Sequence, residues 1–257
     1  MSLRIAYNPP LPQTTRASKR FAYGIALLST ALLSCGGQND GLLSVTAYGE
    51  SFIEDGIPAA EVSDGWAVRF ERFTVHLRDV VVAATPLEVT ESIDLTPASD
   101  GQGHAVGSTT VPTGQYGNAQ FTIERVDVTG SAEKADQTKN FSWVFEQATR
   151  YEQCETVTRV GTEDAATFQI TVHADHLLFD SLVAEEPALV FEPLANADSN
   201  SDGSITRSEL EAAGIGALDP GNRDDIDNLW AWLEAQVSNL GHVDGEGHCT
   251  ASIAESA

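Results

Sequence analysis

From about residue 41 to residue 173 apolar and polar side chains alternate with a period of two, the pattern of strands that bury one face. Leu43, Val45 and Ala47 share one face of the first segment, and Trp66, Val68 and Phe70 share one face of the next. The alternation then slips by one position to Phe73, Val75 and Leu77. Both sets stay on the core side only if a bulge sits near Glu71 and Arg72. Phe121 with Ile123, then Phe141, Trp143 and Phe145, then Phe168, Ile170 and Val172 continue the series, and turn-forming clusters such as PASDGQG and VPTGQYGN separate the segments. The expected fold is mainly β, a sandwich or open barrel. Later the period changes: Ile226, Leu229, Trp230, Leu233, Val237 and Leu240 recur three or four residues apart. This predicts an amphipathic helix, with Asp224, Asp225 and Asp227 near its start and Gly241 near its end. Trp230 and Trp232 read as core residues of that helix, with ligand stacking as the alternative.

Between these two patterns lies DSNSDGSITRSE, Asp198 to Glu209. A calcium ion takes six to eight hard oxygens, which an EF-hand loop supplies from positions 1, 3, 5, 7, 9 and 12. Those positions hold Asp198, Asn200, Asp202, Ser204, Thr206 and Glu209, with Gly203 at the sharp turn. The segment resembles the short EF-hand signature at every one of them. A solvated turn explains the composition but not Glu209 at the twelfth place. Pro193 limits the entering helix to a short turn, and no second loop pairs with the first, since VDGEGH lacks the carboxylate ladder. A lone hand of this kind implies a structural Ca²⁺ site. The expected organisation is a signal segment at 1–34, a β-sandwich body at 35–190, and a lobe at 191–257 with EF-hand loop, helix and tail packed on the sandwich.

At the N-terminus Arg16, Lys19 and Arg20 precede the apolar run FAYGIALLSTALL, which ends in LLSC. A basic segment before a run too short to span a bilayer is the pattern of a signal peptide. LLSC resembles the bacterial lipobox. That resemblance implies an acylated Cys35 as the anchor, and Gly36 in place of Asp favours the outer membrane. An ordinary secretory signal with an incidental cysteine is the alternative. The remaining Cys154 and Cys249 would then stand in an oxidising compartment and are expected to pair as a disulfide, a thiol metal site being the rival. The formal net charge is −24; without Arg4, Arg16, Lys19 and Arg20 it becomes −28, with 10 basic against 38 acidic residues. Such a surface excludes nucleic acid, and leaves the acyl anchor as the contact with membrane.

Four of the six histidines fall in two short segments: His173 and His176 in HADH, and His242 and His248 near Cys249. Imidazoles with a carboxylate form a donor set for copper or zinc, so these four are candidate ligands of a second metal site, against the plainer reading of scattered surface histidines. His76 and His104 read as structural. FTVHLRDVVV and VPTGQYGNAQFTI are similar to strand patterns of secreted bacterial β-sandwich proteins, among them copper-binding lipoproteins encoded beside di-haem partners. Those relatives carry a four-cysteine pattern; here Cys154 and Cys249 stand alone beyond the anchor. The whole arrangement also resembles a group of uncharacterised bacterial lipoproteins. No GxSxG elbow, HExxH or phosphate-binding glycine loop is present, and His173, Asp180 and Ser181 are the nearest approach to a triad. The expected function is non-enzymatic calcium binding that orders the C-terminal lobe, the alternative a periplasmic copper or zinc protein.

Overall fold

The alternating segments form the predicted strands. The computed structural model describes residues 39–89, 92–162 and 165–254; the expected signal segment at 1–34 and Cys35 lie outside them. In chain order the elements are β1 (Asp40–Tyr48), α1 (Glu50–Glu54), β2 (Ala67–Val82), β3 (Thr85–Pro86), β4 (Ser92–Asp94), β5 (His104–Pro112), β6 (Gly114–Tyr116), β7 (Gln120–Lys134), β8 (Gln137–Phe145), β9 (Thr149–Glu152), β10 (Thr158–Val160) and β11 (Ala166–Val172). A 3₁₀ turn (Ala174–Leu178) follows, then α2 (Glu192–Ala195), β12 (Ser204–Ile205), α3 (Arg207–Ala212), α4 (Leu229–Val237), β13 (Gly241–Val243) and β14 (Thr250–Ile253).

The fold is a β-sandwich. Among the described residues one large sheet has four strands in the order β13-β11-β1-β5, the other large sheet has eight, with β12-β8-β7-β2-β3 as its main path, and β10 and β6 form a separate two-stranded sheet. The alternating residues of both sheets join one buried cluster, in which Leu43, Phe73, Phe121 and Phe168 are fully shielded from solvent. The pairing of β2 with β7 shifts register between Phe70 and Arg72, and Phe70 and Phe73 on either side are both buried. The bulge demanded by the sequence phase is therefore present.

The C-terminal segments are woven into these sheets. β12 runs parallel along β8, β13 lies antiparallel to β11, and β14 pairs with β9. The helix of this region differs from its sequence expectation. It begins at Leu229, capped by the Asn228 side chain on the Ala231 N–H, and ends at Val237, so Ile226 and the three aspartates lie before it. Asp225 pairs with Arg223 instead. Leu229, Trp230, Trp232, Leu233, Ala235, Gln236 and Val237 are all buried, so the helix is enclosed on most of its circumference rather than amphipathic. Gly241 is no helix cap; it opens β13, where an added Cβ would come within 2.7 Å of the Tyr151 ring.

Gly130 pairs with Phe70 on one side and Phe141 on the other, and the two rings meet at 6.3 Å across it. A Cβ there would lie 2.2 Å from the Arg69 carbonyl oxygen and 2.8 Å from the Phe141 ring. Gly130→Ala is expected to cost about 1–3 kcal/mol in urea denaturation, while Gly161→Ala, which meets nothing within 4 Å, stays close to wild type.

Candidate metal centre

β1 and β11 run parallel, with Tyr48 opposite Thr171. The residues two places beyond that pair, Glu50 and His173, therefore leave the same end of the sheet side by side. His173 Nδ1 stands 3.5 Å from Glu50 Oε2. Glu50 takes a left-handed φ of 55°, a conformation that costs a residue with a side chain about 1–3 kcal/mol, and it does so where the chain turns from strand into α1.

Beyond β11 the 3₁₀ turn carries Asp175 and His176 back over the same sheet end. β13 then pairs with β11, placing His242 opposite Thr171, and a tight hairpin closed between Val243 and Gly247 brings Gly245 and Glu246 to the group. The Gly245 N–H donates to Thr171 Oγ1, and its carbonyl oxygen lies 3.3 Å from His173 Nε2. The disulfide between Cys154 and Cys249 fixes the residue after His248, and the His248 carbonyl accepts from the Glu155 N–H.

The four histidines singled out in the sequence meet here. Ring centroids are 4.4 Å apart for His173 and His242, 5.3 Å for His173 and His176, 5.2 Å for His176 and His242, and 5.4 Å for His242 and His248. The donor atoms of His173, Asp175 and His176 all lie within 4.8 Å of one another, and so do those of Glu50, His173 and Glu246. His173 is 5 % exposed and His242 9 %, whereas His248 is open to solvent. The His176 Nδ1–H donates to the Asn239 carbonyl at 2.8 Å, which leaves Nε2 as the free lone pair, the arrangement that orients imidazole ligands at metal sites. His242 Nδ1 is buried without a hydrogen-bond partner.

Burial above all, then the neighbouring rings, pushes His176 and His242 down to about 4, so both are neutral at neutral pH and able to donate to a metal. Burial raises the carboxyl pKa of Glu50 and of Asp175, and neighbouring acids add to the effect. Glu50 was invisible in the sequence, because only the parallel pairing brings it to His173. Glu246 sits in VDGEGH, a segment that carries meaning only once the hairpin is folded. Asp180 takes no part: its Oδ1 accepts from the Ala188 N–H, and Ser181 Oγ donates to Asp219, so the paper triad with His173 is not assembled. His76 pairs with Asp127, and His104 contacts the Pro97 carbonyl.

The Asp198–Glu209 loop lies elsewhere, on the edge of the larger sheet. Gly203 has a φ of 84°, Asp198 accepts the N–H groups of Asp202 and Gly203, and Ile205 pairs with Phe141 of β8 where a second hand would otherwise pair. Glu209 accepts from the Thr206 N–H in a capping box that starts α3, and its other oxygen accepts from the Ser199 N–H. Asn200 and Ser204 complete the loop through hydrogen bonds to Asp202. Lys139 Nζ donates to Asp198 Oδ2 at 2.6 Å, and this pair holds the Asp198 carboxyl below its ordinary range.

No family model and no curated protein matches this chain. Among solved structures it is similar to MbnP from Methylosinus trichosporium, at 11 % identity and a TM-score of 0.33, over 54 % of this chain and 76 % of that one. A likeness of that depth establishes neither a common fold nor a common chemistry.

The unfolded chain protonates these rings near pH 6.5 and the folded chain near 4, so protons favour the unfolded state in between. The stability the neutral rings contribute is complete above pH 6.5 and is lost as pH falls towards 4. Glu50 and Asp175, with raised pKa values, act in the opposite sense, so a comparison isolates the rings. Melting curves of chelator-treated protein should show wild type losing stability relative to H176Q/H242Q as pH is lowered through that window. A difference that does not change with pH would contradict the burial of neutral imidazoles.

Proposed function

We propose that this chain is a non-enzymatic, lipid-anchored protein of the cell envelope that holds a transition-metal ion, copper or zinc. Its nearest donors are His173, Asp175 and His176, with His242 and His248 beside them. The convergence of the first three within 4.8 Å carries the reading. Zinc and copper both take imidazole nitrogen together with carboxylate oxygen, and the buried His242 Nδ1, without a hydrogen-bond partner, is the kind of group a bound ion satisfies. The acidic surface attracts cations in general and chooses none of them.

A second reading keeps the loop at Asp198–Glu209 as a structural calcium site that orders the C-terminal lobe. It is supported by the positive φ at Gly203 and by the hydrogen bonds that already turn Asp198 inward. It ranks second because the Asp198 carboxylate already has a counter-ion in Lys139, whereas no Lys or Arg forms an ion pair with Asp175 or Glu246 among the described residues. The absence of catalysis is part of the proposal, and the engagement of Ser181 with Asp219 is in keeping with it. Among the described residues no helix is long and apolar enough to cross a membrane. In this reading the acylated Cys35 is the anchor.

Chelator-stripped protein titrated with Cu²⁺ or Zn²⁺ should show saturable uptake at micromolar concentration. H176A and H242A should each weaken it at least tenfold, about 1.4 kcal/mol. No saturable uptake would overturn the centre. For the loop, added Ca²⁺ should raise the melting temperature, and D198A/E209A should abolish that rise.

A further inference from the structure

Resting on the histidine centre proposed above, we propose that its single ion has two alternative places, and that the second, formed by Glu50, His173 and Glu246, takes a harder divalent cation of the Mn²⁺ class. The donors divide by chemistry as well as by position. His173, Asp175 and His176 bring their donor atoms within 4.8 Å of one another, and the His242 ring centroid lies 4.4 Å from that of His173 and 5.2 Å from that of His176. That side is rich in nitrogen. Glu50, His173 and Glu246 converge within the same limit and offer two carboxylates to one imidazole. Imidazole suits zinc and copper, whereas carboxylate and water suit manganese, magnesium and calcium.

His173 belongs to both groups, so an ion at one place takes this ligand away from the other. Occupancy is therefore exclusive, and the identity of the ion decides where it sits. The surroundings of the two places differ in the same sense. His173 and His242 are buried, and His176 is half-buried beside them. Glu246 is exposed on its hairpin, and the Glu50 side chain keeps 29 % of its surface open. The carboxylate side thus leaves room for the waters that complete the octahedral shell of a hard ion. Among the described residues no Lys or Arg makes an ion pair with Glu50 or Glu246, so no fixed cation competes with a metal there.

Chelator-stripped protein is titrated with Mn²⁺, the free ion being read from its electron paramagnetic resonance signal, and Zn²⁺ affinity is measured in parallel. Any Mn²⁺ held by the loop at Asp198–Glu209 is the part that D198A/E209A removes. Beyond it, wild type should hold one Mn²⁺, and one equivalent of Zn²⁺ should expel that ion, since zinc binds the more tightly and claims the shared His173. E50Q and E246Q should each weaken Mn²⁺ roughly tenfold more than Zn²⁺, and H176A should do the reverse. Should E50Q fail to fold, E246Q on its exposed hairpin gives the same reading. Mn²⁺ that stays bound beside Zn²⁺ contradicts exclusive occupancy. Parallel losses of both metals in all three variants, or Zn²⁺ uptake with no Mn²⁺ beyond the loop, overturn the second place and leave the histidine centre standing. Uptake of neither metal outside the loop removes both.

Discussion

Because β1 and β11 are parallel, their chains leave the sheet in the same direction, and whatever follows each strand arrives at one place. The register of that ladder is held by burial. Leu43, Val45 and Ala47 on β1 and Phe168 and Ile170 on β11 are all at most 1 % exposed, and a slip of one residue would turn a whole set towards the other face. Packing in the sandwich core thereby decides the distance between Glu50 and His173. β13 adds to the far side of β11 and repeats the effect for His242, with a hairpin short enough to fold Glu246 back over the group. The side chains of the centre stand at the ends of elements that the core positions, and few of them depend on loops for their placement.

The strands were legible because a half-buried strand writes its period directly into the sequence. Even the bulge at Glu71 could be read, as a change of phase between Phe70 and Phe73. Strand pairing leaves no such trace. The alternation at 43–47 is the same whether its neighbour is parallel or antiparallel, so the meeting of Glu50 with His173 could not be seen in advance. The histidines could be suspected from their clustering, and the fold brings all four together. The helix near 230 departs from its sequence pattern at both ends for physical reasons. Asn228 caps it through a side-chain oxygen while Asp225 before it is held in a turn by Arg223, and Gly241 is needed for closeness to Tyr151 rather than for a left-handed turn.

The two cation-binding candidates of this chain are built on different principles. The loop at Asp198–Glu209 is contiguous, oxygen-rich and half-open, and its local hydrogen bonds shape it by themselves. It is joined to the sheet through Ile205 and through Lys139, whose ammonium tempers the negative charge of the first ligand position. The histidine centre is nitrogen-rich and partly buried, and joins the short segment His173–His176 to His242 and His248, which strand pairing brings in from far along the chain. A sequence motif can report the first kind of construction. The second emerges from topology.

Glu50 and Glu246 stand near opposite ends of the described chain, with the segment His173–His176 between them. Contacts of such long range are among the last that a folding chain can form, since each requires the closure of large loops of backbone. No early intermediate and no fragment lacking either end would present the complete set of donors. An ion that recognises the whole set acts as a proofreader of finished molecules: its binding free energy is added to the native state alone and withheld from every partly assembled form.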